Sequence, residues 1–263
     1  MANVISIHSY RGGTGKSNLT ANLAALIALR GNRVAVVDTD LQSPGIHSIF
    51  GFDSNADLRT LNDYLWGRCL LSEAVHDVSS SLKAETDGRL FLIPGSVNAD
   101  EIARILSQGY DVSLLIDGFC EVIRKYDLDY LLIDTHPGLS KETFLSIAVS
   151  NALLIILRPD RQDFQGTAVT IDVAQQLEIP QMMLVLNKVL SRVNADSLRS
   201  KVHQTFDVPV AGLLPMSEDM MHLGSQDLFS LKYPDHQLTQ ELKHIAAQLM
   251  GAERAEASVT TVQ

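Results

Sequence analysis

The chain of 263 residues is long enough for one large α/β domain or two small ones, and its 46% hydrophobic content is ample for a buried core. A formal charge of −10 weighs against wholesale attraction to nucleic acid or anionic lipid, although net charge is blind to a local basic patch. The apolar runs are short and interrupted by charges, which excludes a membrane-spanning helix, and the N-terminus enters a strand with no signal-peptide pattern. Val4–Ile7 reads as that strand, and Leu19, Leu23, Leu26 and Ile27 mark one face of a helix that Gly31 caps. Further apolar strands are expected at Arg33–Val37, Leu90–Ile93, Tyr130–Ile133, Leu153–Leu157, Met182–Leu186 and Val210–Leu214. Helices are expected at Asp100–Gln108, Val112–Tyr126, Lys141–Val149, Gln165–Leu177, Ala195–Phe206 and Gln237–Met250. Gly51–Gly88 breaks this rhythm and reads as loop with short helices at Leu61–Leu65 and Leu71–Val75. The alternation implies an α/β fold with a mainly parallel, twisted sheet covered by helices on both faces. Residues 1–251 form a single domain in this reading, and 252–263, poor in strongly apolar residues, a disordered tail.

The two cysteines, Cys69 and Cys120, lie far apart with no CxxC pairing, against a disulfide framework or a zinc or iron–sulfur site, and read as buried apolar residues. Chemistry concentrates at the ends of strands. Between the first strand and its helix lies Tyr10-Arg11-Gly12-Gly13-Thr14-Gly15-Lys16-Ser17. Glycines let backbone N–H groups converge on an anion, and the helix N-terminus adds the positive end of its dipole. Lys16 is placed to reach β- and γ-phosphates and Ser17 to ligate Mg²⁺, with Asn18 in the same first turn. Asp38 and Asp40 end the second apolar strand, where alternation puts both on one face. Asp134 ends the strand Leu131-Leu132-Ile133 and suits a carboxylate that holds Mg²⁺ through water. His136-Pro137-Gly138 follows, the histidine read as hydrogen-bonded within its loop. Asn187-Lys188 ends a later strand, and Leu214-Pro215-Met216-Ser217 follows another.

These segments in this order resemble the ParA/MinD family of deviant Walker A ATPases, P-loop NTPases whose loop reads Lys-Gly-Gly-x-Gly-Lys-Ser/Thr. The chain resembles the ParA-like branch more than the membrane-binding branch, because its tail has one Arg and two Glu and no basic amphipathic face. The resemblance implies that ATP and Mg²⁺ are bound. It implies nucleotide contacts from Gly12, Gly13, Thr14, Gly15, Lys16, Ser17 and Asn18, with Asn187 and Pro215 at adenine and Ser17, Asp38 and Asp134 around the metal. Leu190 replaces the aspartate of a guanine-reading Asn-Lys-x-Asp pattern, so adenine is favoured. The family implies catalytic roles for Lys16, for Asp40 in orienting the attacking water, and for Arg11, which stands where relatives carry a lysine that crosses a dimer interface. It also implies an ATP-bound homodimer, a hydrolysis-stimulating or cargo-adaptor protein, and a cytoplasmic, nucleoid-associated location; the composition of the tail, not the family, argues for no membrane. Arg192, Arg199, Lys201, Lys232 and Lys243 are candidates for non-specific DNA binding, or are ordinary solvated charges. A nucleotide-dependent regulatory module that docks a partner with little hydrolysis is the alternative.

Overall fold

The structure, a computed structural model, describes residues 2–52 and 58–259, the side chains of 252–259 excepted. In chain order its elements are β1 (Asn3–His8), α1 (Lys16–Ala28), β2 (Arg33–Asp38), α2 (Ile46–Ile49), α3 (Leu61–Leu65), β3 (His76–Asp77), β4 (Arg89–Ile93), α4 (Ala99–Gln108) and α5 (Leu114–Tyr126). They continue with β5 (Tyr130–Asp134), α6 (Lys141–Ala148), β6 (Ala152–Leu157), α7 (Arg161–Gln176), β7 (Gln181–Val189), α8 (Ala195–Phe206), β8 (Val210–Pro215), α9 (Glu218–Leu223), α10 (Phe229–Lys232) and α11 (Gln237–Val259).

The strands form one sheet in the order β3-β4-β2-β5-β1-β6-β7-β8. Neighbours are parallel except β3, which runs antiparallel to β4. Central strands are apolar on both faces because helices cover both. In β2, Val34 and Val36 enter the core under α1 and α11, while Ala35 and Val37 enter the core under α4 and α5. A third cluster joins Leu153 and Ile155 of β6 to α7 and α8. Helix α1 is buried along most of its length, since α11 covers the side turned away from the sheet.

Several expectations change at element ends. The loop expected between Gly51 and Gly88 contains α3 as anticipated, but Leu71–Val75 is a 3₁₀ turn at Leu71–Glu73 followed by β3. Only His76 and Asp77 pair, opposite Leu92 and Phe91, too short a run for alternation to reveal; residues 53–57 lie outside the described part. Helix α11 runs to Val259, past the Met250 that the apolar pattern marks, and so takes in part of the segment read as a tail. Its residues Leu238, Leu242, Ile245, Ala246 and Leu249 are buried. The cysteines are a correction: Cys69 is half-buried and Cys120 exposed, because Cys120 falls on the solvent side of α5, opposite Phe119 and Val122.

Candidate functional site

The glycine loop joins β1, between β5 and β6 in the sheet, to α1. Gly15 caps α1 at φ 94°, and a Cβ there would lie 2.6 Å from Asn187 Nδ2, so both backbone sign and space demand glycine. Gly12, Gly13, Thr14, Gly15, Lys16, Ser17 and Asn18 line a cavity of about 350 Å³, with Asp40, Ser43, Gly45 and His136 opposite. The nucleotide-contacting loop expected from sequence is thus brought together around one space.

Lys16, 7% exposed, donates to Asp134 Oδ1 at 2.9 Å and lies 4.0 Å from Asp40 Oδ2. Burial opposes the charge on Lys16, yet Asp134, Asp40 and Asp38 hold its ammonium above the ordinary lysine range. Thr20 Oγ1 also donates to Asp134 Oδ1, while Asp134 Oδ2 is buried with no hydrogen-bond partner among the described residues. Asp38 and Asp134 end neighbouring strands in register. Burial, with Asp134 beside it, pushes the Asp38 carboxyl well above the usual carboxylate range. The strand ends at Asp38, so alternation does not place Asp40; Asp38 does, its Oδ1 accepting from the Asp40 N–H at 3.1 Å and its Oδ2 from the Gly45 N–H at 3.2 Å. His136 also departs from expectation. Its Nδ1 meets Asp40 Oδ1 at 2.6 Å, a partner outside its own loop, because β2 and β5 are adjacent. His8, fully buried on β1, meets Thr135 Oγ1 at 2.8 Å through Nδ1 and is kept neutral, with burial lowering its pKa to about 3.

A second cavity, of about 330 Å³, opens beside Gly15 and Asn18 and is lined by Asn187, Leu214, Pro215, Met216 and Met221. Its apolar walls suit a flat heterocycle. The Asn187 amide is engaged with the loop: Nδ2 donates to Thr14 O at 2.7 Å and Oδ1 accepts from the Lys188 N–H. Lys188, at φ 58°, donates from Nζ to Gly13 O. This pair braces the phosphate loop, a role that its place at a strand end did not disclose.

Arg11 extends toward the N-terminus of α7, its Nη1 3.7 Å from Asp160 Oδ1 and 3.6 Å from Asp163 Oδ1. Arg158 also holds Asp163, donating from Nε at 2.9 Å and from Nη2 at 3.1 Å. Tyr10 lies flush on α7, where a Cβ at Gly166 would overlap its ring. Sequence reading missed these α7 partners. Asp160 caps α7, its side chain accepting from the Gln162 and Asp163 N–H groups, and sequence reading singled out none of Asp160, Asp163 and Gly166. Among the basic candidates, Arg192, Arg199, Lys201 and Lys232 are exposed and Lys243 is half-buried; Arg199 and Lys243 donate to the carbonyls of Val210 and Pro234.

Three carboxylates facing one ammonium, and an orphaned oxygen on Asp134, fit a divalent cation. Among the described residues no three metal-ligating side chains of His, Cys, Asp or Glu converge. Mg²⁺ takes few protein ligands and completes its shell with water and phosphate. Ser17 would hold it directly, and Asp134 and Asp38 through water; when bound, it neutralises phosphate charge.

Such a space takes a chain of phosphates with its cation, and the fold and site define a P-loop NTPase. The chain belongs to the ParA family: residues 1–250 match the family model described as ParA: NUBPL iron-transfer P-loop NTPase. It is 28% identical over 258 residues to an uncharacterised ATP-binding protein of Methanocaldococcus jannaschii, covering 96% of this chain and 89% of that protein. An iron-sulfur cluster carrier protein of Methanococcus maripaludis is 28% identical over 186 residues, 70% of this chain and 59% of that protein. The fold is shared with the septum site-determining protein MinD of Pyrococcus horikoshii, complexed with Mg-ADP, at a TM-score of 0.77 and 22% identity, covering 95% of this chain and 96% of that one. Among the described residues, no helix is long and apolar enough to cross a membrane.

Proposed function

We propose that this chain is an ATP-dependent dimerisation switch that hydrolyses ATP slowly to position or partition DNA or a protein cargo. The observation that carries this reading is the placement of Asp40, held by Asp38, Ser43 and His136 at the wall of the phosphate cavity and 4.0 Å from Lys16. A carboxylate fixed beside the phosphate-binding lysine is positioned to orient water, and phosphoryl transfer rests chiefly on positioning and electrostatics. Dimerisation is supported by exposed apolar side chains beyond the C-terminal ends of the strands, Tyr10, Leu139, Leu190 and Met216, which a second copy would cover around the nucleotide. Within this proposal adenine is the base and Arg11 reaches the partner's nucleotide. A separate protein accelerates hydrolysis, and Arg192, Lys201 and Lys232 of two copies together grip non-specific DNA. An iron–sulfur cargo is disfavoured by the cysteines, since Cys69, after α3, and Cys120, on α5, form no CxxC pair to hold a cluster.

Asp40→Ala tests the reading. Nucleotide binding survives the loss of the carboxylate while water orientation does not, so light scattering with ATP and Mg²⁺ should show a long-lived dimer. Wild-type hydrolysis with rapid dimer turnover in the variant removes Asp40 from the mechanism. Salt-sensitive DNA retention that appears only with ATP supports the DNA arm, and its absence moves the assignment to a regulatory module that docks a protein.

A further inference from the structure

The phosphate cavity and the apolar cavity share Gly15, Asn18 and Ser225 as common wall. A nucleotide that places its phosphates in one and its base in the other must pass its sugar across these residues. At that point Asn18 Nδ2 donates to Ser225 Oγ at 3.0 Å. The other amide atom, Asn18 Oδ1, is shielded from solvent with no hydrogen-bond partner among the described residues. Ser225 Oγ accepts from Asn18 and keeps its own proton for donation, so the pair holds one idle acceptor, shielded within the common wall, and one idle donor. A sugar hydroxyl is both.

The pair is built in place. Ser225 has φ 60° directly after Gly224 at φ 58°, a left-handed backbone that L side chains adopt infrequently. Asn22 on α1 donates to Asn18 O at 2.8 Å and accepts from the Ser230 N–H at 2.7 Å, which stitches the segment after α9 to the first turns of α1. Asp227 is clamped by Lys83 Nζ at 2.6 Å, and Leu228 and Phe229 are fully buried. Ser225 is therefore presented to Asn18 from both sides of its own loop.

We propose that Asn18 and Ser225 bind the ribose hydroxyls and make the site selective for ribonucleotides over deoxyribonucleotides. The inference rests on the nucleotide reading above and names the sugar class that the site takes. A deoxy sugar would leave Asn18 Oδ1 idle and lose the bond from Ser225, which a neutral buried hydrogen bond converts into about a five- to tenfold loss of affinity. The test is calorimetric titration of the wild-type chain with ADP, 2′-deoxyADP and 3′-deoxyADP in Mg²⁺, with diphosphates chosen because they do not turn over. The expected result is that at least one deoxy compound binds about five- to tenfold more weakly than ADP. Ser225→Ala should reduce this preference, and so should Ser225→Gly, which accepts the left-handed backbone without strain; melting curves verify that both variants fold. Equal binding of the three nucleotides by the wild-type chain overturns the sugar contact alone, as does full preference retained in both folded variants. Failure of ADP itself to bind overturns the nucleotide reading and the sugar contact with it.

Discussion

At Lys16 a single ammonium faces Asp38, Asp40 and Asp134 in a site nearly closed to water, and its position was legible because the motif is contiguous. Lys16→Ala removes the counter-charge for the phosphates and strands the carboxylates, so isothermal titration should show ATP binding lost. Lys16→Arg keeps the charge and should keep the fold, and equal ATP affinity in a folded Lys16→Ala protein sinks the phosphate assignment. The placement of Asp40 and His136 was only half legible. The sequence placed both at strand ends, but their 2.6 Å contact joins residues on separate strand-end loops and depends on the pairing of β2 with β5. The Asn187 amide shows the same limit, since nothing in its neighbourhood along the chain says that its partner is Thr14 O.

Among the elements, the long periodic helices and buried strands were readable because burial imposes repeats of 3.6 and 2 residues on them. The short ones were not: α2, β3, α9 and α10 complete too little of a repeat to show one, and tertiary contacts hold them instead. Helix α11 displays what its pattern achieves. Ile245, fully buried, packs so closely over β8 that a Cβ on Gly212 would lie 2.7 Å from its side chain. Ile245→Ala should therefore cost about 2–5 kcal/mol through lost burial and the cavity left behind. Urea denaturation measures this, and a loss below about 1 kcal/mol would mean that α11 is not part of the cooperative core.

Across the whole molecule, strand order decides which loops meet. With β1 beside β6, the loop carrying Arg11 comes against the start of α7, where Asp160 and Asp163 hold the guanidinium within the same chain. To reach a partner's nucleotide, Arg11 must leave these carboxylates. Asp163 would not be stranded, because Arg158 keeps its three bonds to it, two from the guanidinium and one from the backbone N–H. Arg11→Ala should then leave nucleotide binding by the monomer nearly intact and lower the dimer fraction in sedimentation with a non-hydrolysable ATP analogue. Equal dimer fractions refute a composite site and favour the regulatory-module reading. By itself the sequence determined the α/β class, the order of the parallel strands along the chain with β3 left out, the phosphate loop and the carboxylates that follow the strands, because each is written in a contiguous segment or a local period. Only the tertiary structure decided that Arg11 is held by α7, that His136 meets Asp40, and that Asn18 meets Ser225 across 207 residues of chain. Those pairings follow from which strands lie side by side and how α1 packs on the segment after α9, and hydrophobic burial selects that arrangement with no local signal at the residues it brings together.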